Sequence, residues 1–150
     1  MTPEQFLRLI KQHSRQLAEA FQRRVPVKVA VKAEHHFKDN FRKGGFVNGG
    51  LHRWKPSKRQ SNPKHPDRAY GTLLSRRNHL YSSIRHSTRP YVAVVSTNVP
   101  YAKAHNEGTD NAGRGHKTRI PKRQFMGDSK ELTEQVRSIV TQEINKILKP

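Results

Sequence analysis

One short string in this chain has the residue types of acid–base chemistry: His105, Asn106, Glu107 and Gly108. An imidazole and a carboxylate beside a basic segment can move protons during metal-independent cleavage of RNA, as in small basic ribonucleases. The competing interpretation is structural, because a strand end and a turn use the same polar residues to hold the next loop. Because a match this short recurs often by chance, we favour the structural interpretation and predict no catalytic residue.

Histidine is frequent enough to raise the question of a metal site, since the chain has nine. His35 and His36 are adjacent, and on a helix they would point about 100° apart, which is poor geometry for one metal ion. The eleven acidic residues form no cluster of the kind that a two-metal phosphodiesterase needs. Cysteine is absent, which excludes disulfides and thiolate ligands. We therefore predict no metal and no cofactor.

Positive charge is the other chemical feature, and it is concentrated in the middle of the chain. Thirty Lys and Arg stand against eleven Asp and Glu, a formal net charge of +19. Residues 28–90 hold fifteen of these bases and three of the acids, whereas residues 128–150 hold four of each. Such self-repulsion favours a polyanionic partner, because phosphates neutralise basic loops.

Basic residues in the central segments are predicted to contact a polyanion or a partner protein. Trp54 lies among them, and it would either stack on a base or anchor its loop to the core. The alternative is that the charges only solvate the surface. No recognition-helix, zinc-finger or RNA-recognition signature accompanies them, so sequence-specific readout has no support. The predicted contact residues are Lys55, Lys58, Arg59, Lys64, Arg68, Arg76, Arg77, Arg114, Lys117, Arg119, Lys122 and Arg123.

Helices are predicted at both ends of the chain. Thr2 can cap the first, with Pro3 at its first position and Gln5 completing a capping box. Pro26 is predicted to interrupt this helix and open a second, which continues to Phe41; a strand over residues 25–31 is the competing interpretation.

The C-terminal helix has the clearest pattern in the chain. Asp128 and Ser129 offer a cap, and Glu131 is its capping-box partner. Apolar residues then recur at helical spacing over residues 132–148.

Strands and loops are predicted between these helices. A short helix over 73–84 precedes a strand over 91–96, and a turn leads to a second strand over 101–105. Residues 44–72 and 108–119 lack periodicity, which predicts long, mobile, basic loops. We predict an α+β fold: a small antiparallel sheet with N-terminal helices and a C-terminal amphipathic helix. Residues 1–150 would form a single domain, with its core in about 3–43 and 73–148.

Membrane insertion is not predicted. The longest apolar run, residues 91–95, is far too short to cross a bilayer. The N-terminal segment is interrupted by charges and lacks the apolar stretch of a secretory signal. These features predict a soluble intracellular protein without membrane contact.

Several short motifs occur in a fixed order: Trp54-Lys55-Pro56, Ser96-Thr97-Asn98, Val99-Pro100-Tyr101-Ala102, His105-Asn106-Glu107-Gly108, Ile120-Pro121, Arg123 and Phe125. Over residues 20–148 this order resembles the phage virion morphogenesis family, the Mu-type tail-completion and minor structural proteins of tailed phages and prophages. The most specific parts are the Val-Pro-Tyr-Ala and His-Asn-Glu-Gly strings and the Ile-Pro-x-Arg-x-Phe segment.

The resemblance implies a non-enzymatic subunit that docks as a homo-oligomeric ring at the head–tail junction or the tail end. Its partners would be connector, tail terminator or tail-tube subunits, together with a non-specific contact to DNA. It would occupy the host cytoplasm during assembly and then the neck or tail of the virion. The alternatives are a stand-alone non-specific nucleic-acid-binding protein and, behind it, a small ribonuclease using His105 and Glu107.

The motif residues are predicted to be scaffold. Pro100 would end a strand, and Tyr101 would bury its ring while its hydroxyl finds a partner. Gly108 would let the backbone leave the second strand at a positive φ. Pro121 and Phe125 would dock the segment before the last helix onto the sheet. The full set of predicted structural residues is Trp54, Pro100, Tyr101, His105, Gly108, Pro121 and Phe125.

Overall fold

The computed structural model describes residues 1–66 and 70–149. Its helices are α1 (Pro3–Glu19), α2 (Val25–Lys43), α3 (His79–Ser83), α4 (Ala102–Glu107) and α5 (Lys130–Leu148). Its strands are β1 (Gly45–Val47), β2 (Leu51–Arg53), β3 (Arg85–Arg89), β4 (Val92–Ser96), β5 (Thr109–Ala112) and β6 (Thr118–Ile120). The strands pair as three antiparallel hairpins, so the predicted α+β class is confirmed.

The N-terminal helices form one continuous helical segment. The capping box is confirmed, because the Thr2 amide donates to Gln5 Oε1 and the Gln5 amide donates to Thr2 Oγ1. The predicted interruption at Pro26 is wrong: a π-helical turn over Ala20–Arg24 joins α1 to α2. In that wider turn the Val25 amide bonds to the Ala20 carbonyl. Pro26 follows this turn, in the first turn of α2.

The predicted loop 44–72 begins with a hairpin. Gly44 ends α2 in the left-handed conformation, with φ at 66°. Strands β1 and β2 then pair with Phe46 opposite His52. The sequence Asn48-Gly49-Gly50 makes the turn, because Gly49 and Gly50 both take positive φ values. This turn signal was present in the sequence, so the prediction of an irregular segment was wrong here.

The hairpin β3–β4 lies against α2 and corrects two predictions. The strand predicted over 91–96 is confirmed as β4, but its partner is β3, with Arg85 opposite Ser96. The segment 101–105, predicted as that partner, forms helix α4 instead. The helix predicted over 73–84 is reduced to the five residues of α3.

The second predicted loop, 108–119, also contains a hairpin. Strands β5 and β6 pair with Thr109 opposite Ile120, and the pairing is irregular before Ala112. Neither strand has the apolar alternation that identifies a strand from sequence, since both are mostly exposed.

The core lies where α2, α3, α4 and the segment before α5 meet. Phe41 is at its centre, with its ring edge-on to Trp54 and to Tyr81 at centroid distances of 5.8 Å. Its buried members are Phe41, Trp54, Leu80, Ile84, Val99, Ala102 and Phe125.

Helix α5 closes the fold against α2, and its predicted cap at Ser129 is confirmed. The predicted capping box is wrong, because Glu131 is the second residue of the helix and its carboxylate bonds to another segment. The Ser129 hydroxyl accepts the Leu132 amide at 3.3 Å. Glu131 accepts the amides of Gly49 and Gly50 at 2.9 and 3.0 Å, and these bonds lower its pKa to about 2. Within residues 1–66 and 70–149, no helix combines the length and apolarity that a membrane-spanning segment requires.

Candidate functional site

Phe125 and Asn106 hold the motif segment to the rest of the fold. Phe125 is 1% exposed and packs against Phe41, with ring centroids 5.2 Å apart. Asn106 Oδ1 accepts the amides of Phe125 and Met126, and Asn40 Nδ2 donates to the Phe125 carbonyl at 3.0 Å. The predicted docking of Phe125 onto a sheet is therefore wrong, because it docks onto helix α2. Neither asparagine was among the predicted residues.

Trp54 and Arg123 are internal anchors. Trp54 is buried, and its Nε1 donates to the Gln124 carbonyl at 2.8 Å. Arg123 is 8% exposed; its Nε donates to the Lys55 carbonyl at 2.8 Å, and burial lowers its pKa. Both side chains are thereby directed inward, so Trp54 has the anchoring role and the Arg123 guanidinium is not presented to a partner.

Tyr101 and Pro100 differ from their predicted roles. The Tyr101 ring is 43% exposed rather than buried, although its hydroxyl does bond to His79 Nδ1 at 3.0 Å. Pro100 lies in the turn that enters α4, four residues beyond the last residue of β4. The valine-proline string therefore begins a helix and does not end a strand.

Gly108 has the predicted positive φ, 78°, but it ends helix α4 and not a strand. A Cβ at this position would stand 2.9 Å from the Lys122 amide nitrogen. Pro121, next to Lys122 in the chain, is half-buried at the end of β6. The glycine thus permits close approach between α4 and the segment that follows β6.

His105 and Glu107 do not form an acid–base pair. Two residues apart on a helix, their side chains point about 200° away from each other. Burial, and then the charge of Arg123, lower the pKa of His105, and its Nδ1 is buried without a partner among the described residues. Glu107 is exposed on the other side of α4. The geometry that the ribonuclease hypothesis needs is absent from this part of the chain.

Apart from the buried Arg123, the predicted basic residues that the structure describes have three different environments. Arg59 donates to the carbonyls of Gly71 and Leu74 and lies over the Tyr70 ring, so it fastens its own loop. Arg119 on β6 is 3.3 Å from Asp110 on β5, with both side chains exposed. The remaining described members are exposed and have no carboxylate within 4 Å among the described residues: Lys55, Lys58, Lys64, Arg76, Arg77, Arg114, Lys117 and Lys122. Arg68 lies outside the described residues.

Exposed apolar side chains on α1 are a feature that the sequence prediction missed. No residue of α1 is buried. Phe6, Leu7 and Ile10 are 52%, 57% and 49% exposed. The periodicity was visible in the sequence, but it gave no sign that the apolar face would lack a cover.

An apolar groove lies elsewhere on the same molecule, between α2, β4 and α5. Its volume is about 480 Å³. Ala33 and Phe37 of α2, Val95 of β4, and Leu132 and Val136 of α5 are among its walls. Within residues 1–66 and 70–149, no group of three or more histidine or acidic side chains is placed to hold a metal ion.

A small α+β chain with a basic surface and uncovered apolar faces has the features of an assembly subunit. The model of the phage virion morphogenesis family matches residues 5–145. The chain therefore belongs to this family, which gives it a structural or assembly role in the phage particle. Searches of curated proteins and of solved structures found no match.

Proposed function

We propose that this protein acts at the head–tail junction or the tail end, as a ring of copies that docks onto connector, tail terminator or tail-tube subunits. The observation that carries the proposal is the uncovered apolar face of α1. Exposed apolar residues in a group mark protein contacts, because water is a poor environment for them. The assembly role of the family supplies the setting.

The length of the helices explains why this face is uncovered. Glu143 of α5 contacts Arg24 and Lys28 at the junction of α1 and α2. Helix α5 ends at Leu148, so it continues for only about 7 Å beyond Glu143 at 1.5 Å per residue. From Arg24 back to Phe6 the helical segment extends about 27 Å. Phe6 therefore lies roughly 20 Å past the end of α5, and the N-terminal part of α1 forms a projecting arm.

The apolar stripe continues along this projecting arm. His13 and Leu17 are half-buried and Ala20 is fully buried, whereas Phe6 and Ile10 are exposed on the same side of the helix. At 100° per residue, these five side chains fall within about 80° of each other. The arm therefore offers a second apolar surface that the described residues of the chain do not cover.

The occupant we propose for the groove between α2, β4 and α5 is the arm of a second copy. An apolar arm and an apolar groove at different places on one chain fit a head-to-tail contact, which closes into a ring when the rotation between copies permits it. The contact is heterologous, so each copy uses one surface of each kind.

Substitutions on the two surfaces test this contact. Replacing Phe6 and Ile10 with Asp is expected to abolish oligomers in native mass spectrometry, as is Val136→Arg in the groove. Mixing these two variants is expected to give a dimer and nothing larger, because one intact surface of each kind remains. Gln12→Asp with Gln16→Asp is the matched control, since both positions are exposed on another side of α1.

Complementation tests the role in the particle. In a phage lacking this gene, the wild-type chain should restore tailed, infectious particles, and the Phe6→Asp, Ile10→Asp variant should not. Full restoration by that variant would show that the arm is not a docking surface. Particles that regain tails but remain monomeric in this protein would overturn the ring.

A further inference from the structure

A basic depression lies beside α3, outside the arm and the groove. It has two connected parts of about 1020 and 350 Å³, which share His79 and Ser82 in their walls. Three arginines, one histidine, one asparagine and four serines line it, and none of these residues is acidic or apolar. Of these, Arg76 and Arg77 were among the predicted contact residues.

The arginines of this depression form no ion pair with the described residues. Arg76, Arg77 and Arg85 are exposed, and among the described residues none has a carboxylate within 4 Å. This contrasts with Arg59 and Arg123, whose guanidinium groups donate to backbone carbonyls. Guanidinium groups without such intramolecular partners can donate hydrogen bonds to a ligand in the depression.

The floor of the depression is fixed by the core. Leu80 is 5% exposed, and it holds α3 in place from beneath. Asn78 takes a positive φ of 47° before α3, and its Oδ1 accepts the Ser75 amide at 3.3 Å. The hydroxyl groups of Ser83 and Thr97 bond to each other at 2.6 Å and tie α3 to the end of β4. The polar groups are therefore positioned before any ligand binds.

His79 is oriented in the same way. Its Nδ1 bonds to the exposed Tyr101 hydroxyl. When that hydroxyl donates to Nδ1, the proton of the neutral ring is on Nε2, which becomes a hydrogen-bond donor. This gives the exposed Tyr101, whose predicted burial was wrong, a positioning role beside the arginines.

The positive surface continues from the depression along β3. His86 contacts Glu34 of α2 through its Nδ1, so His86 faces the helix. Side chains alternate along a strand, and Arg85, Ser87 and Arg89 therefore face away from α2. Two arginines, Arg85 and Arg89, thus extend the cationic surface along the outer face of the hairpin.

We propose that this depression binds the phosphate groups of a nucleic-acid backbone, without reading its sequence. Arginine forks, serine hydroxyls and an asparagine amide are the donors that contact phosphate oxygens in protein–DNA complexes. None of the lining residues has a large apolar side chain of the kind that forms a pocket for a peptide side chain. This inference is independent of the arm and the groove, which it does not use.

Salt-dependent binding to a short mixed-sequence duplex DNA, followed by fluorescence anisotropy with the full chain, tests the proposal. Replacing Arg76, Arg77 and Arg85 with Gln should reduce the slope of log K against log salt by about 2 to 3, because each lost phosphate contact removes about 0.9. The matched control replaces Lys58, Lys64 and Arg114 with Gln, an equal change in charge at other exposed positions. Its slope should fall by less than about 1.

Three results would overturn the proposal: equal effects of the two triple variants, no DNA binding by the wild type at low salt, or competition by polyglutamate as strong as by DNA at equal charge. The last would indicate an acidic protein as the occupant. Native mass spectrometry of the Arg76, Arg77 and Arg85 variant should show the wild-type oligomer. Retention of that oligomer would keep this test separate from the test of the arm.

Discussion

Phe125 and Phe6 are the same residue type in opposite environments, at 1% and 52% exposure. The region around Phe125 is bound from several directions: Phe41 packs against its ring, and Asn40 and Asn106 bond to its backbone. The region around Phe6 has no buried residue. Residues of the first region are explained by contacts inside the chain, whereas the second region is where we propose contacts with another chain.

The largest expected difference between the regions is in stability. Phe41→Ala removes the centre of the core and should lower the free energy of unfolding by about 3–5 kcal/mol. Phe6→Ala, the matched control, should change it by less than about 0.5 kcal/mol in the monomer. Chemical denaturation at a concentration where the chain is monomeric measures both. Comparable losses would mean that the arm packs against its own chain.

A stability loss of intermediate size is expected from substitution of a glycine in the well-packed region. Gly108→Ala should destabilise the protein by about 1–3 kcal/mol, because φ of 78° with ψ of 159° suits only glycine. The added Cβ would also crowd the Lys122 amide. Gly115→Ala is the control, since a Cβ there meets no atom within 4 Å. Thermal melting compares the two, and equal melting temperatures would contradict the close approach at Gly108.

The smallest expected effect is the pH dependence of stability that Glu143 contributes at the base of the arm. Hydrogen bonds from Lys28 and then Lys146 lower the pKa of Glu143 to about 2, from an ordinary value of 4.5. A lowered folded pKa means that the stabilisation is complete above about pH 4.5 and is lost as pH falls toward 2.

A variant isolates this contribution. Glu143→Gln should be less stable than the wild type at neutral pH, and the difference should disappear near pH 2 in thermal melts. Glu134→Gln is the control, because Glu134 is exposed and, among the described residues, its ion-pair partner is Arg137 on its own helix. A difference that persisted unchanged at pH 2 would show that the carboxylate charge is not the cause.

The elements predicted from the sequence were those with local signals. The Thr2 capping box, the Ser129 cap and the valine-rich strand β4 were confirmed, because each depends on neighbouring residues. Strand β3 was missed because Arg85-His-Ser-Thr-Arg89 has no apolar residue, and its pairing depends on β4 across a tight turn. The segment 101–105 was wrongly predicted as a strand because its residues alternate over too few positions to exclude one helical turn.

Only some residues of the candidate surfaces could be predicted from the sequence. Arg76 and Arg77 were predicted as docking residues, and their role stays a prediction. The contribution of Arg85, His79 and Asn98 depends on which residues the fold brings beside α3, which periodicity does not reveal. The buried setting of Arg123 likewise follows from the Lys55 carbonyl, far away in the chain.

The π-helical turn over Ala20–Arg24 has a consequence for how chain length can vary. A π turn contains one residue more than an α-helical turn. The side chains of the helices on either side keep the directions that an uninterrupted α-helix without that residue would give them. Loss of one residue within this turn would therefore restore a regular α-helix and leave Phe6 and Ile10 pointing in the same direction. The same change inside α1 would rotate them by about 100°. The turn is thus the place in the N-terminal helix where one residue can be deleted without turning the proposed docking face of the arm.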